Sequence, residues 1–94
     1  MHLTIDGIEY RVYWNHDRED KVTVCFIRSI TPDNKVHIHS GIGIQNGKPF
    51  CYNKGRKLSL AKAVHKIFPR KTVEGYVARQ QVWERYWEMR GSKW

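Results

Sequence analysis

The stretch Lys21–Gln45, KVTVCFIRSITPDNKVHIHSGIGIQ, decides the fold because it holds two strand-like runs joined by a turn. Lys21–Ile30 is nearly continuously apolar and rich in β-branched residues, which is typical of a central strand with both faces partly covered. The Pro-Asp-Asn run within Thr31–Asn34 predicts a tight turn. The next strand, Val36–Gln45, alternates between an apolar face and a face of histidine and glycine, namely Val36, Ile38, Ile42 and Ile44 against His37, His39, Gly41 and Gly43. The two glycines leave their face bare, which predicts a bulge or the close approach of another backbone or a ligand.

Further strands flank this pair. Ile8–Trp14 alternates apolar and polar residues, and a short leading strand, Leu3–Asp6, can hairpin into it through Asp6-Gly7. The polar run Asn15–Asp20 reads as a turn. Asn46-Gly47 predicts a tight turn into a short strand at Pro49–Tyr52.

The apolar period becomes helical after Asn53. A first helix is predicted from the spacing of Leu58, Ala61, Val64 and Phe68, with Pro69 ending it. A second is predicted from an N-cap at Thr72 to about Met89, with an apolar stripe of Val73, Tyr76, Val77, Trp83, Tyr86 and Trp87. The chain is therefore expected to form a single α+β domain over residues 1–94: a three- to four-stranded antiparallel sheet followed by two C-terminal helices packed on one face.

The positive charge is concentrated in one segment. Of the 17 Lys and Arg residues, eight fall in Lys48–Lys71, which contains no Asp or Glu, and the remaining nine are balanced by nine acidic residues. A localised basic segment favours a polyanionic partner, nucleic acid above all. A solubilising surface is the competing interpretation.

The most specific feature of that segment is the start of the first predicted helix. Asn53–Lys57 is predicted to be a turn that leads into this helix. Cations at a helix N-terminus oppose the helix dipole, so their presence there favours an anion that completes the site. Gly55 would allow close approach, and Arg56 supplies a fork suited to phosphate. The predicted anion and nucleic-acid-binding residues are Lys54, Gly55, Arg56, Lys57, Lys62 and Lys66.

Aromatic residues offer two further contact surfaces. Phe50 and Tyr52 lie beside the basic turn and are predicted to stack on bases, with burial in the core as the alternative. Trp83, Trp87 and Trp94 are predicted to contact a protein partner or a second copy of the chain, with coverage of the sheet as the alternative.

No convincing catalytic site emerges, so the chain is predicted not to be an enzyme, and neither a metal nor a cofactor is expected. His37 and His39 share a strand face about 7 Å apart, which permits a metal pair or a small nuclease as minor hypotheses. Cys25 and Cys51 are expected to be free thiols, buried as small apolar residues. No apolar run is long enough to span a bilayer and no signal peptide is evident, so no membrane association and a cytoplasmic location are expected.

The motif F-x₃-K-G-R-K-L-x-L-x-K-A-V resembles the C-terminal part of many small bacteriophage proteins, in which a hairpin strand runs into a basic helix. The matching residues are Lys54, Gly55, Arg56, Leu58, Ser59, Leu60, Lys62, Ala63 and Val64. The resemblance implies a phage accessory protein acting in the bacterial host cytoplasm.

Two functions from different classes therefore stay open. The first is a non-enzymatic protein that binds nucleic acid or another polyanion through residues 54–66. The second is a phage inhibitor that blocks a host or defence protein, a role that small phage proteins often have.

Overall fold

The computed structural model describes residues 1–45, 49–68 and 72–90. These ranges form four strands followed by two helices, which confirms the predicted α+β class. The elements are β1 (His2–Ile5), β2 (Ile8–Asp17), β3 (Val22–Ile30), β4 (Val36–Ile44), α1 (Tyr52–Ile67) and α2 (Val73–Met89).

The sheet is an antiparallel meander in the order β1-β2-β3-β4. The predicted hairpin between β1 and β2 forms, and Asp6 and Gly7 supply its two positive φ angles. Pairing Val12 with Ile27, and Ile27 with His39, fixes which side chains share a face. One face, the helix-covered face, lies under α1 and α2, whereas no described residue range covers the other, which we call the open face.

A single core layer fills the space between the sheet and the helices. α1 packs mainly on β3 and β4, and α2 contacts β1. The buried apolar residues are Ile5, Tyr10, Val12, Cys25, Ile27, Leu60, Ala63, Val64, Phe68, Ala78, Val82 and Tyr86.

Gly41 and Gly43 lie on the helix-covered face, directly beneath α1. A Cβ at Gly41 would stand 2.4 Å from both Ala63 N and Ser59 O, and one at Gly43 would stand 2.8 Å from Leu58 Cβ. The bare face predicted from the sequence therefore admits the backbone of α1. Because the neighbours of Gly41 are main-chain atoms, any side chain there would push α1 off the sheet.

The segment before α1 differs from its prediction. Pro49–Tyr52 was expected to be a strand and Asn53–Lys57 a turn leading into the helix, but α1 begins at Tyr52. Gln45 explains the difference, since its Nε2 donates to Cys51 O at 2.8 Å and its Oε1 accepts from Cys51 N at 3.1 Å. Both backbone groups of Cys51 are thus bonded to a side chain rather than to a neighbouring strand. The predicted turn at Asn46-Gly47 and the helix end at Pro69 lie outside the described residues.

α2 begins where predicted, because Thr72 caps it by accepting a hydrogen bond from Gly75 N at 3.0 Å. Its predicted apolar stripe is partly wrong. Val73, Tyr76 and Val77 are exposed, whereas the face on the core is made by Gly75, Ala78, Val82 and Tyr86. The inner face of α2 therefore begins with small residues, and the larger apolar side chains of its first turns point outward. None of the described helices is long and apolar enough to cross a bilayer.

Replacing Gly41 with alanine tests the contact between α1 and β4. We expect Gly41→Ala to lower the free energy of unfolding by about 1–3 kcal/mol, the usual cost of overpacking. Ser40→Ala, one residue away on the open face, is the control and should change it by less than about 0.5 kcal/mol. Urea unfolding followed by circular dichroism measures both, and equal midpoints for Gly41→Ala and the wild type would contradict the close approach.

Candidate nucleic-acid interface

The cations of α1 divide into two groups with different surroundings. Lys54, Lys62 and Lys66 are exposed. They occupy positions i, i+8 and i+12 of the helix, so they lie along one gently turning row, which we call the lysine row. Leu58 fills the missing position of that row.

No acidic side chain neutralises the lysine row within the described residues. The three described ion pairs join Arg11 to Glu9, Lys35 to Asp33 and Arg85 to Glu88, all away from α1. The first turn of α1 also contains no acidic residue. The row is therefore a positive surface open to an external anion.

Arg56 belongs to the second group, which faces the end of α2. Its Nη2 donates to Asn53 Oδ1 at 2.5 Å, and Nη2 of Arg90 donates to the same oxygen. Nε of Arg56 is buried with no hydrogen-bond partner among the described residues. Two guanidinium groups thus converge on one amide oxygen, at the joint between the start of α1 and the end of α2.

Lys57 also points towards the end of α2. Its Nζ lies 5.9 Å from the ring centroid of Trp87, in cation–π geometry. Farther along, Ala61 and His65 of α1 line a groove with Tyr76 and Trp83 of α2, so the two helices run antiparallel. The negative end of the α2 dipole therefore lies beside the first turns of α1, and the last turn of α2 has no basic residue of its own. The negative end of the α2 dipole therefore stabilises the positive charges of Arg56 and Lys57. The sequence alone did not predict this interaction.

Gly55 has a packing role in the structure. It is buried inside α1, and its N–H donates to Cys51 O at 3.0 Å. A Cβ there would stand 2.2 Å from Thr23 Oγ1. The glycine expected to admit an anion instead admits the side chain of Thr23, and its binding role stays a prediction.

Phe50 and Tyr52 form a three-ring cluster with His16. The His16 ring centroid lies 4.7 Å from that of Tyr52 and 5.7 Å from that of Phe50, both edge-on. His16 Nδ1 is hydrogen-bonded to Thr23 Oγ1 at 2.8 Å. Burial, with a smaller contribution from the Arg56 charge, lowers the pKa of His16, which favours the neutral ring. Tyr52 stays exposed and Phe50 half-buried, so Tyr52 has the more accessible ring for a base.

The other predicted residues that the structure describes do not assemble into a second site. His37 is exposed and His39 half-buried. No group of three metal-ligating residues occurs within the described ranges. Trp83 and Trp87 are half-buried and pack against the core, while Trp94 lies outside the described residues.

The sequence did not point to His16, Gln45 or Arg90 as neighbours of this region. None of the three belongs to a local sequence pattern that links it to α1. Only the tertiary contacts place them at the start of that helix. Searches against protein-family models, curated proteins and solved structures find no match to the chain.

The two cysteines occupy opposite environments. Cys25 is buried, and burial raises the pKa of its thiol to about 12. Cys51 was also expected to be buried, but it is exposed at the N-cap of α1. The Lys54 backbone N–H lowers the pKa of the Cys51 thiol, with smaller contributions from Asn53, Lys57 and Arg56.

Thiol labelling at neutral pH should therefore distinguish the two cysteines. A lowered pKa increases the thiolate fraction, so we expect iodoacetamide to modify Cys51 faster than a free cysteine peptide and to leave Cys25 unmodified in the folded chain. Mass spectrometry of the intact and digested protein measures this. Equal modification of both cysteines without denaturant would contradict the placement of α1.

Proposed function

We propose that this protein is a non-enzymatic nucleic-acid-binding protein that contacts phosphates through the lysine row of α1. The observation that carries the proposal is the row itself: three exposed lysines on one helix, unpaired with any described carboxylate. The net charge of +8 supports the same partner.

The dimensions of the row match a nucleic-acid backbone. Twelve residues separate Lys54 from Lys66, which corresponds to about 18 Å along the helix axis. One strand carries a phosphate about every 3.4 Å along its axis, so the row spans roughly five phosphates. The three lysines can engage about three of them.

The row offers little means of reading sequence. Its contacts would be lysine ammonium groups on phosphate oxygens, which position a protein without distinguishing bases. Tyr52 is the nearest exposed aromatic ring and could add stacking on a single strand. Weak sequence preference and strong salt dependence are therefore the expected behaviour.

Salt titration of binding tests the proposal. For three phosphates on duplex DNA, log K should fall with log salt with a slope of about −2.7. Lys62→Gln should make the slope shallower by about 0.9 and weaken binding regardless of sequence. Fluorescence anisotropy with labelled duplex and single-stranded oligonucleotides measures both quantities.

Lys35→Gln is the matched control, because it removes one lysine charge from a residue that already pairs with Asp33. It should leave the slope unchanged. The proposal fails if the wild type shows no binding at about 50 mM salt, or a slope near zero. It also fails if Lys35→Gln and Lys62→Gln have the same effect.

Inhibition of a host or defence protein, and the phage origin behind it, stay predictions. Trp83 and Trp87 offer such a partner less surface than expected, because both are half-buried. A pull-down from nuclease-treated bacterial lysate separates the two functions. We expect no stoichiometric protein to remain after the nuclease treatment, and one that remains would favour inhibition.

A further inference from the structure

A groove lies between α1 and α2 on the solvent side of the two helices. Ala61 and His65 of α1 form one wall, and Tyr76, Gln80 and Trp83 of α2 form the other. Its volume is about 430 Å³. Sites for small organic ligands usually have volumes of about 300–1,000 Å³, so the groove has room for a planar ring with its substituents.

The two aromatic rings of the groove are held in place before any ligand binds. Gln80 Nε2 donates a hydrogen bond to the hydroxyl of Tyr76 at 2.9 Å. Trp83 packs edge-on against the buried ring of Tyr86, with ring centroids 5.7 Å apart. Tyr76 and Trp83 are two helical turns apart, so they lie on the same side of α2, about 10 Å apart along its axis. A ligand that stacks on them therefore loses little binding energy to ordering these side chains.

The charges around the groove are basic. His65 and Arg79 line it, and none of the described residues that line it is acidic. Lys62 and Lys66 of the lysine row directly follow Ala61 and His65 in the chain. Successive helix residues are about 100° apart on a cylinder about 10–12 Å across, which places these two lysines about 8 Å from the wall of the groove. A ligand bound to the row can therefore extend into the groove.

The combination of rings and cations selects a single strand of nucleic acid as the ligand. Proteins that hold single strands use aromatic rings that stack on bases beside cations that bind the phosphates. Every nucleotide has a base next to its phosphate, so a strand that lies on the lysine row has rings within reach of the groove. A duplex keeps its bases stacked and paired in its interior, so it can occupy the row but not the groove.

We propose that the groove between α1 and α2 binds an unpaired nucleobase, which stacks on Tyr76 and Trp83 while the lysine row holds phosphates of the same strand. This inference rests on the proposed nucleic-acid-binding function and names its substrate class as single-stranded nucleic acid. Stacking accepts any base, because every base has a π face, so the groove does not add sequence preference.

Replacing Tyr76 with leucine tests the groove. Tyr76 is 56% exposed, so Tyr76→Leu should fold, and circular dichroism verifies that it does. We expect the affinity for a single-stranded thymidine oligonucleotide to fall about tenfold, the usual effect of losing one stacked base, and the affinity for a duplex of equal length to change by less than about twofold. Fluorescence anisotropy at about 50 mM salt measures both affinities.

Tyr13→Leu is the matched control, because Tyr13 is a 48% exposed tyrosine on the open face, away from both helices. It should leave both affinities unchanged. Lys62→Gln should weaken the binding of single strand and duplex alike, because it removes a phosphate contact that both share.

The inference and the proposed function fail in different ways. A wild type that binds neither oligonucleotide overturns both. If the wild type binds with the expected salt dependence but Tyr76→Leu weakens single strand and duplex equally, or weakens neither, the inference alone is overturned.

An acidic peptide with aromatic residues is the competing ligand for the same chemistry. A peptide of alternating glutamate and tryptophan, matched in charge to the oligonucleotide, should bind more weakly in the same assay. Tighter binding of the peptide would assign the groove to a protein partner and overturn the inference.

Discussion

The structure depends on the contact between the backbone of α1 and the glycines of β4. Gly41 and Gly43 let the helix approach until its main-chain atoms occupy the space of a side chain. This contact fixes the position of α1, and with it the outward direction of the lysine row. It also leaves the helix-covered side of β4 with no apolar side chain. The apolar residues of β4 therefore lie on the open face.

The antiparallel packing of α1 and α2 offsets the unfavourable interaction between the cations at the start of α1 and the dipole of that helix. Alone, such a helix has basic residues at the wrong end of its dipole. In the folded chain, the C-terminal end of α2 lies beside that start, with Lys57 on Trp87 and Arg56 and Arg90 on Asn53. The basic segment thus has two parts: one contributes to the joint between the helices, and the other, the lysine row, is exposed.

Where the sequence interpretation succeeded or failed follows from the range of the interactions involved. Alternation and turn chemistry identified the four β-strands, because they act over a few residues, although β2 continues to Asp17, into the run predicted to be a turn. They failed at Pro49–Tyr52, since the bond from Gln45 to the backbone of Cys51 replaces a strand partner and has no signature in local pattern. They failed on the stripe of α2 too, because large apolar residues were assumed to face inward. Gly75 and Ala78 occupy that inner face instead.

The sequence by itself determined the α+β class, the order of the elements and the concentration of positive charge after Lys48, because these follow from period and composition. Only the tertiary structure decided the environment of each charge and the face on which each apolar residue lies. That division has a physical reason. The hydrophobic period of a strand shows that its two faces differ in polarity, but it does not show which face a helix covers, because that depends on how closely the helix can approach. In β4 the helix selected the glycine face, and the isoleucines lie exposed on the open face.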